Sequence, residues 1–151
     1  MPLSKVRKEL NVLDDMIKSI LTLRMSIIPL VAKIKKDNNL ELFQPGREKQ
    51  IYENIEKFCS EKGLSSSLVK DIYQRIIEEA LSIEHNVDKI DFKVDMTEDA
   101  KKEIDSKFER LNTIFELEIP QLLSEIEAIG ESSGVNLSFL ATDYYRRKNN
   151  I

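Results

Sequence analysis

Apolar residues recur every three or four positions along most of this chain, the spacing that lines one face of an α-helix. From about Ser4 to Lys36 the stripe runs through Val6, Leu10, Leu13, Ile17, Ile20, Ile27, Ile28, Val31 and Ile34, with Ser4 placed to cap its start and Asp37-Asn38-Asn39 to end it. Pro29 lacks an N–H and presses on the turn before it, so a bend is predicted there. A second helix is predicted from Pro45 to Lys62, burying Ile51, Tyr52, Ile55, Phe58 and Cys59, with Gly63 as its stop. The run Ser65-Ser66-Ser67 caps a third, from Ser66 to Glu84, with Leu68, Val69, Ile72, Tyr73, Ile76 and Ile77 on its apolar face.

From Asn86 to Asp95 the period changes to two: Ile90, Phe92 and Val94 alternate with charged residues. A lone strand has no partner here, so the segment is expected to be an extended linker lying on the helices. Helical spacing then returns. Thr97 caps a helix with apolar positions 100, 104, 108, 111 and 115; Pro120 is expected to kink or divide it, and Leu122, Leu123, Ile126 and Ile129 continue the stripe. After the Gly130–Gly134 loop, residues 137–148 are read as a short last helix ending in Arg146-Arg147-Lys148. The expected fold is all-α, with no internal repeat.

Composition narrows the function. At 151 residues the chain fits one domain with a helical appendage. Residues 1–86 carry 14 basic and 13 acidic side chains and residues 87–151 carry 9 and 14, so neither part has the basic excess of a nucleic-acid binder. The stretch Ile17–Ile34 is interrupted by Lys18, Arg24, Pro29 and Lys33, too broken to span a bilayer, and a cytoplasmic protein is expected. One Cys and one His leave no ordinary zinc site, no intramolecular disulfide and little scope for Ser-His-Asp or Cys-His catalysis.

Several polar residues sit awkwardly on these helices. Arg24 and Lys35 share a face about 16 Å apart, within reach of one small ligand. Arg7 lies about 25 Å before Arg24 and is turned by roughly a quarter circle, so it joins the same site only from a second subunit. Arg47 stands in the first turn of the second helix, where the partial positive charge of free N–H groups disfavours a cation; it is either merely solvated or facing an anion. Glu84 continues the apolar face of the third helix. It is either at a frayed end or desolvated, and in the second case a protonated carboxyl there would donate a hydrogen bond.

In order and spacing, Arg7, Arg24, Lys35, Arg47-Glu48 and Glu84, carried by "VRKELNVLDDMIKSILTLR", "KIKK", "QPGREKQIYENI" and "IYQRIIEEALSIE", resemble the all-helical chorismate mutases over residues 4–86. The resemblance implies a three-helix bundle forming an intertwined homodimer, to which the periodic residues beyond it add C-terminal helices. It implies conversion of chorismate to prephenate in aromatic amino acid biosynthesis, by a concerted Claisen rearrangement with no cofactor and no metal. It further implies that Arg24 and Arg47 grip substrate carboxylates, that Arg7 arrives from the partner, and that Lys35 and Glu84 donate to the ether oxygen. Glu48 would hold the ring hydroxyl, and Gln44 would touch the substrate where the family often has Asp. At Glu84 many members have Gln, while fungal members carry Glu and favour acidic conditions. Residues 1–86 are thus expected to be the catalytic domain and 87–151 a helical extension of separate role. Two alternatives stand beside it: an isochorismate pyruvate-lyase, which shares the fold and is compatible with the Lys35 and Arg47-Glu48 pattern, and, from another class, a non-catalytic helical module binding a partner through the 100–129 stripe.

Overall fold

The computed structural model describes all 151 residues, and every regular element in it is helical. Helix α1 spans Pro2–Asp37, α2 Pro45–Lys62 and α3 Ser66–His85; a 3-10 turn, Val87–Lys89, follows. Then come α4 (Glu98–Thr113), a π turn (Ile114–Glu118), α5 (Ile119–Glu131) and α6 (Leu137–Lys148). The chain forms two compact units, one of residues 1–90 with 142–151 and one of residues 91–141.

In the first unit α3 packs against both α1 and α2. Ala32, Ile55, Cys59 and Val87 are its buried apolar residues. The predicted punctuation largely holds. Ser65 accepts from the Leu68 N–H at 3.3 Å, and Gly63 takes φ 79°, a left-handed turn that a Cβ would resist. Ser4 does not cap α1, which begins two residues earlier; its hydroxyl donates back to the Met1 carbonyl instead. The helix starts without a side-chain cap or an acidic residue in its first turn, and it continues through Pro29 unbroken.

The linker only partly matches its alternating pattern. Val87 is buried in the 3-10 turn, which touches α1 and α3, and Lys36 pairs with Asp88. Phe92 and Val94 are exposed, so the alternation beyond Ile90 does not bury its apolar side.

In the second unit Thr97 caps α4, accepting from the Ala100 N–H at 3.1 Å. Pro120 does not divide the helix. It cannot donate to the carbonyl four residues back and its ring crowds that carbonyl, and the helix widens into the π turn just before it, then runs on as α5. At the end of α5, Gly130 lies so close to its surroundings that a Cβ there would meet the Val135 carbonyl at 2.5 Å and Leu140 at 2.6 Å.

Candidate active site

The site grows from three helix segments of the first unit. The middle and end of α1 supply Arg24, Ile27, Ile28, Val31 and Lys35, which share a face because they recur at helical spacing. The start of α2 supplies Gln44, Arg47, Glu48 and Ile51, and the end of α3 supplies Ile77, Ala80, Leu81 and Glu84. With Leu42 and Phe43 of the intervening loop they line one cavity of about 300 Å³, within the range of small-molecule sites. Six of the seven residues singled out from the sequence meet here: Arg24, Lys35, Gln44, Arg47, Glu48 and Glu84. Arg7 does not; it is exposed on the first turns of α1.

Glu84 is 4% exposed and lies inside α3, which continues to His85. The desolvated alternative is therefore the one the fold adopts, not the frayed end. Its Oε1 accepts from Lys35 Nζ at 2.8 Å, and the same ammonium donates to the Leu42 carbonyl at 2.7 Å. A buried carboxylate and a nearly buried ammonium offset each other's desolvation only when their geometry is this close. Two of the three Lys35 donors are thus used by the protein, leaving one.

Arg24 is held differently. Its guanidinium carbon lies 5.6 Å from the centre of the Tyr73 ring, a cation–π contact, yet its Nη1 is buried without a hydrogen-bond partner. A buried N–H left unpaired is costly, and the cost disappears when an anionic oxygen arrives. Arg24 and Arg47 also border a second cavity, of about 400 Å³, lined by Ile51, Asn54, Ile55, Phe58, Val69 and Tyr73.

Helix α2 opens with Pro45 and Gly46 after Gln44, whose side chain makes no capping bond. The Arg47 and Glu48 amides bond back to the Gln44 carbonyl, and Arg47 Nη1 donates to the Gln50 side chain at 2.8 Å. One turn on, burial and then the Glu48 and Glu78 carboxylates push the Tyr52 phenol above its ordinary range, so it keeps its proton well into alkaline solution.

Two contributors escaped the sequence reading as site parts. The Leu42 carbonyl carries no side-chain signal, since any residue could present it. Helical spacing makes Tyr73 one more apolar residue of α3, and its ring does face a neighbour, but the neighbour is a guanidinium. A helix-face pattern says that a residue points inward, not what it meets.

The family model for chorismate mutase type II matches residues 6–85. A chorismate mutase of Methanocaldococcus jannaschii is 33% identical over 76 residues, covering 50% of this chain and 77% of that protein. A 4-amino-4-deoxychorismate mutase of Streptomyces venezuelae is 26% identical over 82 residues, covering 54% of this chain and 80% of that protein. No solved structure matches the chain significantly. The cationic cavity built by α1, α2 and α3 falls wholly within the matched residues, and the chain belongs to the chorismate mutase type II family.

Proposed function

We propose that the chain is a chorismate mutase, an isomerase that rearranges chorismate to prephenate, with residues 1–86 as its catalytic domain. The observation that carries this reading is the buried, unpartnered Arg24 Nη1 beside Arg47 and the Lys35–Glu84 pair around one cavity. Chorismate is a dianion, and two guanidinium groups suit its two carboxylates because each can grip bidentately. Gln44 and Glu48, at the start of α2, are assigned to the ring substituents, with Glu48 on the hydroxyl.

The rearrangement breaks the ether carbon–oxygen bond as a carbon–carbon bond forms, within one molecule and without net transfer of protons or electrons. What it asks of a protein is a compact substrate conformer and donors aimed at the oxygen that gains charge. Lys35 has one donor left after Leu42 and Glu84, and that donor is assigned to the ether oxygen. Glu84, when protonated, is assigned as the second. The chemistry needs no nucleophile, so the scarcity of His and Cys is no obstacle.

Arg7 is assigned to the site of a partner subunit, in a homodimer. Supporting this, the first half of α1 leaves Leu10, Leu13, Ile17 and Ile20 exposed, Ile17 by 64%, a stripe that a free helix in water does not favour. No helix is long and apolar enough to cross a membrane, and a cytoplasmic location is proposed with the dimer.

The test is a chorismate-disappearance assay with product identification, run beside isochorismate and 4-amino-4-deoxychorismate. Prephenate from chorismate is the expected outcome. Pyruvate released from isochorismate alone would make the protein a lyase, and no turnover with no thermal stabilisation by any of the three would leave a non-catalytic helical module.

A further inference from the structure

The geometry points to the C-terminal tail, residues 142–151, as a clamp on the start of α1 that positions Arg7 for the shared site. This rests on the assignment of Arg7 made above. The observations come from both ends of the chain. Helix α1 begins at Pro2 with no side-chain cap and no acidic residue in its first turn, so its opening turns have little of their own to hold them. Such an end frays. Yet Arg7 lies in the second turn, and a cation that must meet a carboxylate has to stand in a defined place.

Among the first 22 residues only Val6 and Glu9 are not exposed. The end of α6 lies there: Lys148 Nζ is 2.5 Å from Glu9 Oε1, and the tail forms one compact unit with residues 1–90. The tail is itself tied down. Asn149 is buried and donates from Nδ2 to the Tyr145 carbonyl, and Arg146 Nη1 donates to the Ile151 carbonyl. Arg146 and Arg147 both pair with Asp143, so of the three terminal cations it is Lys148 that reaches across to α1.

Helical geometry explains why this contact leaves Arg7 free. Glu9 is two residues after Arg7 and so points about 200° away around the axis, while Val6 lies between them. The tail thus holds α1 by one edge of its apolar stripe, and Arg7 projects from the other. The clamp gives the C-terminal segment a part in the reaction without touching substrate. Lys148, Glu9 and Asn149 act as positioning residues.

The test uses Lys148→Met and Glu9→Gln variants of the 151-residue chain and the exchanged pair Glu9→Lys with Lys148→Glu. Amide hydrogen exchange over residues 2–10 should quicken in each single variant and return toward the original rate in the exchanged pair. KM for chorismate should rise about two- to five-fold in the single variants, the scale of an exposed ion pair, with kcat little changed, because Arg7 binds substrate before and during the reaction. Unchanged exchange in both single variants overturns the clamp. Faster exchange with an unchanged KM overturns its role in placing Arg7. Full activity in an Arg7→Ala protein, by contrast, would strike down the assignment of Arg7 itself, and the exchange result would still decide whether the tail holds α1.

Discussion

Lys35 and Glu84, on α1 and α3, meet at 2.8 Å, Nζ to Oε1, at the wall of the cavity. Each is assigned as a donor to the same substrate oxygen, and without substrate they satisfy each other. That makes stability and turnover separable at this pair. Lys35→Ala should lower turnover by orders of magnitude, because the donor it removes is used mainly in the transition state. It also leaves a buried carboxylate unpaired, costing about 2–3 kcal/mol of stability. The double variant Lys35→Ala/Glu84→Gln should recover much of the melting temperature and none of the turnover. Steady-state kinetics beside thermal melts would show it, and near-normal turnover in either protein would refute the role of Lys35.

Glu84's assigned role is to donate to the ether oxygen, so the position must offer a donor. Glu84→Gln keeps one in its amide and should retain activity, while Glu84→Ala offers none and should lower kcat by orders of magnitude. Steady-state kinetics of the two proteins check this. A dead Glu84→Gln enzyme, or a near-normal Glu84→Ala enzyme, would take Glu84 out of the mechanism.

Arg7 and Arg24 are predicted to serve one site from two chains. Arg7→Ala and Arg24→Ala should each be nearly inactive alone, and co-refolded mixtures should regain part of the activity. Mixed dimers would then hold one site with both arginines. Absence of recovery in demonstrably mixed dimers would make Arg7 a residue of its own chain's surface.

Gly130 offers a test in the second unit that does not involve catalysis. Gly130→Ala brings a methyl to 2.5 Å from the Val135 carbonyl and 2.6 Å from Leu140. The expected cost is about 1–3 kcal/mol of overpacking, reduced by the about 1 kcal/mol that Ala gains over Gly within a helix. Melting should drop by several degrees while kcat/KM for chorismate is kept. A variant as stable as the parent would mean that the turn after α5 relaxes freely.

Local rules were enough for much of this molecule. The residues that cap or stop helices, Ser65, Thr97 and Gly63, act on their nearest neighbours, so their roles are legible in a few letters of sequence. The faces of α1, α2 and α3 follow from a period of 3.6, and that period alone put Arg24 and Lys35 on one side and Arg7 out of their reach. Ser4 misled because a helix can begin earlier than its best cap when nothing stops it, and Phe92 and Val94 misled because alternation does not say whether a partner surface exists. What local rules leave open is how a side chain is surrounded. Spacing leaves Glu84 as either a frayed end or a desolvated carboxyl, and leans to the frayed end; the fold brings Lys35 of α1 against it instead. The Leu42 carbonyl on Lys35, the Tyr73 ring under Arg24, and Lys148 on Glu9 join segments far apart in the chain. Periodicity fixes the direction of a residue about its own helix axis; only the packing of one helix on another decides what stands in that direction.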